Sequence, residues 1–122
     1  MKKYLVLVVL LPLFLCGCND TEKLEVKKVT CEQKDEVLND NKNAIFIDVR
    51  TEEEYKEGHL KDAINIPHEK VVEVLSTYGT IDFDTPIVVY CKSGGRSGMA
   101  SLDLINAGYK NVYDLGAMSN CE

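Results

Sequence analysis

The sequence has no Cys-x-x-Cys pair, only two histidines, no surplus of positive charge and no apolar run of membrane-spanning length. Each absence removes a class of function. Without Cys-x-x-Cys, a thiol–disulfide exchange protein lacks its usual resolving cysteine. His59 and His68 stand in no metal-ligand spacing with cysteines or carboxylates, so no metal site is expected. A net charge of -6 argues against nucleic acid or an anionic membrane surface as partner. The longest apolar run, Tyr4 to Leu15, is short for a bilayer span. No internal repeat and no low-complexity tract is visible.

What is present is one domain's worth of chain. A length of 122 residues with 45% hydrophobic and 28% charged side chains is an ordinary soluble balance, which argues against disorder. The beginning stands apart. Met1-Lys2-Lys3 is basic, Tyr4 to Leu15 is apolar, and Leu15-Cys16-Gly17-Cys18 follows. That succession reads as a secretory signal. Its end resembles a bacterial lipobox, with Cys18 at the lipidated position and Gly17 just before it. Residues 1–17 are therefore expected to be a lipoprotein signal peptide, 18–25 a lipid-anchored tether, and 26–122 the domain. The implied location is outside the cytoplasm, with membrane attachment through Cys18.

Within the domain, short apolar runs alternate with helical patterns. Strands are expected at Val26 to Cys31, Ala44 to Ile47, Ala63 to Pro67, Ile87 to Tyr90 and Asn111 to Leu115. Helices are expected at Glu32 to Asn41, after Thr51, from His68 to Tyr78 and from Met99 to Ala107. Thr51-Glu52-Glu53-Glu54 is a capping box, and Gly58 stops its helix. Val71, Val74, Leu75 and Tyr78 share one helix face; Met99, Leu102 and Ile105, with Ala100, Leu104 and Ala107, make another. Such alternation gives an α/β domain, a mainly parallel sheet with helices on both faces.

The stretch that carries chemistry is Ile87-Val88-Val89-Tyr90-Cys91-Lys92-Ser93-Gly94-Gly95-Arg96-Ser97. Cys91 follows a buried-strand run and precedes a helix, the place where open α/β sheets bind ligands. Gly94 and Gly95 let the loop curl so that its N–H groups point inward as an anion-binding nest. A thiolate is favoured there, and Lys92 and Arg96 add positive charge. The site is suited to a nucleophilic thiolate that receives or carries an anionic group. A buried cysteine that only fills space is the plainer reading, and the glycines, the cations and the following helix weigh against it.

Two blocks also resemble a known family. Asp48-Val49-Arg50-Thr51-x-x-Glu54-Tyr55-x-x-Gly58-His59-Leu60-x-x-Ala63-Ile64-Asn65-Ile66-Pro67 is similar to the first signature of single-domain rhodaneses. Cys91-Lys92-Ser93-Gly94-Gly95-Arg96-Ser97 is similar to their active-site loop, and Ala107 to Gly116 to their last strand. The resemblance implies a rhodanese-like single domain with a five-stranded sheet. It implies that Cys91 takes sulfane sulfur from a donor such as thiosulfate or polysulfide and passes it to a thiol or to cyanide, with Lys92, Ser93, Gly94, Gly95, Arg96 and Ser97 around the substrate. The small sulfur donor and the thiol acceptor are the expected partners, and the resemblance implies no metal or organic cofactor. Cys91 to Arg96 is a six-residue loop. Phosphatase and arsenate reductase relatives of this fold use one residue more, which leaves that activity as a lesser alternative. A non-catalytic binding or sulfur-carrier module is the other.

Arg96 either binds substrate or anchors the loop to a buried acid such as Asp48; the second is favoured, because arginine pairs bidentately with carboxylates. Asp48 and Arg50 are expected to support the site, Arg50 in an ion pair, with His59 hydrogen-bonded in a turn. His68 has no assigned role. The family often closes with a tryptophan, but Cys121 stands near that place and the chain has no tryptophan. Cys31 and Cys121 therefore pair as a disulfide, remain two thiols, or leave Cys121 to accept sulfur from Cys91.

Overall fold

The structure, a computed structural model, describes residues 23–122. The expected signal segment and Cys18 lie outside the described residues. Five parallel strands form one sheet: β1 (Lys27–Lys28), β2 (Ile45–Asp48), β3 (Ile64–Asn65), β4 (Ile87–Cys91) and β5 (Val112–Ala117). Their order across the sheet is β1-β5-β4-β2-β3. The helices are α1 (Cys31–Asp40), α2 (Glu52–Glu57), α3 (Val71–Thr77) and α4 (Gly95–Ala107). A 3-10 turn, His68–Lys70, leads into α3, and another, Met118–Cys121, follows β5. No helix among the described residues is long and apolar enough to cross a membrane.

β4 lies centrally and all five of its residues are buried. Successive side chains point to opposite faces of a strand. Ile87, Val89 and Cys91 accordingly join the core beneath α3 and α4. Val88 and Tyr90 join a second core, against which Val37 and Leu38 of α1, and Met118 and Cys121, pack. Both faces of the sheet are thus covered, as a continuous apolar strand requires.

Local chemistry sets the element ends. Thr30 and Thr51 each form a complete capping box, with Gln33 and Glu54. Gly58, at φ +148°, ends α2. The capping by Thr30 corrects the expected first strand: only Lys27–Lys28 pair with β5, and Cys31 belongs to α1. The helix expected from His68 begins as a 3-10 turn, and Tyr78 lies outside it, half exposed.

α4 differs most from expectation. It starts at Gly95, and its buried face is Ser97, Ala100, Ser101 and Leu104. Met99 and Leu102 are 52% and 58% exposed. The buried positions follow the i, i+3, i+4, i+7 rule, whereas two serines hid them from a hydrophobicity reading. Both hydroxyls are satisfied locally: Ser97 Oγ donates to the Gly94 carbonyl at 3.1 Å and Ser101 Oγ to the Ser97 carbonyl at 2.7 Å. Burying them therefore costs little.

Candidate active site

Cys91 is the last residue of β4 and is fully buried. Its Sγ accepts the Gly94 N–H at 3.0 Å. Gly94 has φ +100°, the left-handed backbone that turns this N–H back toward the sulfur. Gly95 needs no such freedom and opens α4, so one glycine rather than two makes the turn. Burial pushes the Cys91 thiol up. The Ser97 hydroxyl and the N–H groups of Ser97, Gly94 and Ser93 outweigh that, and the pKa falls below the ordinary thiol value. The Ser97 hydroxyl has one proton to share between the Gly94 carbonyl and the sulfur; an ionised sulfur has the stronger claim.

The loop rests on β5. Val89 pairs with Asp114 but Tyr90 pairs with Gly116, so Leu115 is an extra residue in a bulge. Gly116, at φ +79°, closes the bulge, and its N–H donates to Asp114 Oδ1 at 2.8 Å. A Cβ on Gly94 would lie 3.9 Å from Gly116 Cα, so loop and bulge are close without crowding.

Arg96 anchors the end of the loop, but not to Asp48. Its Nη1 and Nη2 donate to Glu54 Oε1 and Oε2 at 2.6 and 3.0 Å. Arg96 beside it brings the Glu54 carboxyl down to about 2. Asp48 is engaged elsewhere. It accepts Arg50 N and Nε on Oδ1, and Arg50 Nε and Nη2 with the Tyr90 hydroxyl on Oδ2, all within 2.7–3.0 Å. Arg50 Nη2 also donates to the Gly58 carbonyl at 2.6 Å, and the Tyr90 hydroxyl accepts the Leu60 N–H at 2.9 Å. This buried network locks β2 and the loop after α2 against β4, while Arg50, whose Nη1 is not engaged in it, also lines a hollow beside the active-site loop. His59 Nδ1 lies 3.0 Å from the Tyr55 carbonyl, and its ring stacks on Tyr55 at 3.8 Å. His68 pairs with Glu69 at the surface.

The structure thus brings Cys91, Ser93, Gly94, Arg96 and Ser97 into one loop, with Lys92 exposed and without an ion-pair partner among the described residues. Asp48, at the end of the neighbouring strand β2, and Arg50, two residues on, form an ion pair that is tied to β4 through the Tyr90 hydroxyl. Glu54 and Tyr90 are the functional supports that the sequence did not single out. Glu54 does double duty, capping α2 and clasping Arg96, and its position in the capping box masked the second role. Cys31 and Cys121 are joined as a disulfide with Cα atoms 5.3 Å apart, leaving Cys91 the free cysteine among the described residues. Cys121 is therefore not a thiol acceptor while the bridge is closed.

This arrangement, a helix-capping loop of N–H donors around one thiolate on a parallel sheet, defines a class. The sequence profile of the Rhodanese-like domain matches residues 30–119, and the chain belongs to that family. It is 37% identical over 75 residues to the thiosulfate sulfurtransferase PspE of Escherichia coli strain K12, covering 62% of this chain and 71% of that one. It is 36% identical over 85 residues to the tRNA uridine(34) hydroxylase of Photorhabdus laumondii, covering 67% of this chain but only 24% of the hydroxylase. The chain spans less than two thirds of the length of several curated relatives it matches. Among solved structures, the human single-domain sulfurtransferase TSTD1 superposes with a TM-score of 0.68 at 21% identity, covering 80% of this chain and 96% of that one. That likeness concerns the fold.

Proposed function

We propose that the protein is a sulfurtransferase that carries sulfane sulfur as a persulfide on Cys91, and that it works outside the cytoplasm on a lipid anchor at Cys18. The observation that carries the first part is the thiol itself: Cys91 Sγ meets the Gly94 N–H at 3.0 Å in a loop whose donors lower its pKa. The Cys91 thiolate attacks the outer sulfur of a donor such as thiosulfate. The donor S–S bond breaks, sulfite leaves with the electron pair, and Cys91 holds the persulfide. The loop N–H groups stabilise the anions on either side of that step. A thiol or cyanide then takes the outer sulfur. The loop has six residues from Cys91 to Arg96, which favours a sulfur atom over a tetrahedral oxyanion.

The Cys31–Cys121 disulfide supports an oxidising location. Two experiments test the reading. Thiosulfate and cyanide should give thiocyanate and sulfite with the wild-type protein and none with Cys91→Ala; equal rates from both would refute the role of Cys91. Globomycin should leave an unprocessed precursor in cells, whereas unchanged processing would refute the lipid anchor.

A further inference from the structure

Two carboxylates are buried among the described residues, Asp48 and Asp114. Arg50 pairs with Asp48, whereas Asp114, only 8% exposed, has no ion-pair partner among the described residues. In β5, Asp114 stands opposite Val89 of β4 on one side and Lys28 of β1 on the other. Neighbours in register point to the same face of a sheet. Val89 and Cys91 share the core beneath α4, so Asp114 looks that way too. A Cβ on Gly98 of α4 would lie 4.0 Å from Asp114 Oδ2. Strand spacing and rise put the Cα atoms of Asp114 and Cys91 roughly 8 Å apart.

Its two oxygens have different surroundings. Oδ1 accepts the Gly116 N–H at 2.8 Å and holds the bulge on which the Gly94 turn rests. Oδ2 has no hydrogen-bond partner among the described residues, and Asp114 lines a hollow of about 470 Å³ with Lys28, Ser93 and Gly94. The other charges around the thiol are balanced or turned away. Glu54 clasps Arg96, and the Asp48–Arg50 pair is tied to the Tyr90 hydroxyl, whose ring belongs to the opposite face of the sheet. His68, on the 3-10 turn that packs on α4, meets Glu69. Lys92 and Lys28 are exposed, and Ser97, Gly98 and Ala100 of α4 carry no charge. Asp114 is thus the unpaired buried charge on the face of Cys91. We infer that Asp114 is a positioning residue for Cys91: one oxygen fixes the bulge beneath the Gly94 turn, and the charge of the carboxylate opposes the charge on the sulfur.

That opposition has a chemical use. The sulfur and the carboxylate both draw on the positive end of α4. Loop donors alone would leave an abundant but weak nucleophile, because the reactivity of a thiolate falls as its thiol becomes more acidic. The nearby carboxylate limits that fall, and its tie to Gly116 keeps the Gly94 N–H aimed at the sulfur. The inference rests on Cys91 being the reactive thiol, and it concerns the charge on the sulfur rather than the compound that the sulfur meets.

The test is alkylation of Cys91 by iodoacetamide, a neutral reagent, against pH, read on the Cys91 peptide of the full chain by mass spectrometry. Asp114→Asn keeps an oxygen for the Gly116 N–H and removes the charge. A unit charge at that distance, partly screened through the hollow, moves a thiol by about half to one pH unit, so the midpoint should fall by that much. The plateau rate above the midpoint should fall about twofold, as a weaker nucleophile requires. Damage to the loop donors would raise the midpoint instead, so the sign separates the charge from a merely structural role. Asp114→Ser, neutral and with a hydroxyl that can accept, should act in the same direction, while Asp103→Asn on the exposed side of α4 should change neither value. An unmoved or raised midpoint in a folded neutral variant would overturn the inference. In the wild type, the Asp114 Cγ resonance should step at the pH where Cys91 ionises and lose that step in Cys91→Ala; a resonance without the step would overturn the inference as well. Sulfur uptake, followed by intact mass, is a separate result: a chain that takes up no sulfur overturns the persulfide reading, and the midpoint still decides the role of Asp114.

Discussion

Opening the Cys31–Cys121 bridge should cost the domain a large part of its stability. The two cysteines are 90 positions apart, and their Cα atoms are 5.3 Å from each other. In the chain-entropy description, closing a loop of that size removes roughly 15 cal/mol/K from the unfolded ensemble, about 4.6 kcal/mol at 25 °C. The folded state loses little in exchange. Cys31 stays in the first turn of α1, and Met118 and Cys121 still pack beside Phe46 and Tyr90. Domains of this size are stable by about 5–15 kcal/mol in total, so the reduced form sits near its margin. Each kcal/mol moves the melting point by roughly 4–8 °C, which predicts a fall of about 20–35 °C. The assay is thermal unfolding followed by far-ultraviolet circular dichroism, with and without a phosphine reductant. A Cys91→Ala background removes the other free thiol in the domain, and a Cys31→Ser, Cys121→Ser protein provides the permanently open form. A melting point that moves by less than about 5 °C on reduction, matched by the double variant, would refute the reasoning.

Three further outcomes are expected. Glu54 titrates at about 2 in the folded chain against an ordinary 4.5, so its contribution is complete above pH 4.5 and disappears as pH falls toward 2; the stability gap between wild type and Glu54→Gln, measured by urea unfolding, should close over that range, and a constant gap would contradict the clasp. Ser97→Ala removes a hydroxyl that favours the Cys91 thiolate, so the midpoint of iodoacetamide alkylation against pH should move upward, while an unmoved midpoint would contradict that role. Leu104→Ala should cost about 2–5 kcal/mol and Leu102→Ala less than about 0.5 kcal/mol, since only Leu104 is buried; comparable losses in denaturant unfolding would contradict the orientation of α4.

The strand of highest apolar density was the easiest part of the fold to read. Ile87 to Tyr90 is β-branched and aromatic throughout, and it is buried on both faces. The capping box at Thr51 was equally legible, because both of its halves lie within four consecutive residues. The face of α4 was not. Each of its two buried serines gives its proton to a carbonyl one turn back, and that acceptor is invisible to a hydrophobicity pattern. The partner of Arg96 was hidden for a different reason. Glu54 lies 42 positions away and already had a local explanation as a cap, whereas Asp48 looked available until Arg50 and Tyr90 filled its oxygens. Local chemistry is written in neighbouring residues; which acid meets which arginine depends on how the strands are ordered. The order β1-β5-β4-β2-β3 places β2 beside β4 and so brings the first signature to the loop.

The central claim is that Cys91 carries sulfur. Its most direct test is the intact mass of the protein before and after thiosulfate, alongside Cys91→Ala. The account predicts a gain of one sulfur atom, about 32 Da, that is removed by cyanide or dithiothreitol and absent in the variant. No gain from thiosulfate or from polysulfide, or an equal gain in Cys91→Ala, would contradict it.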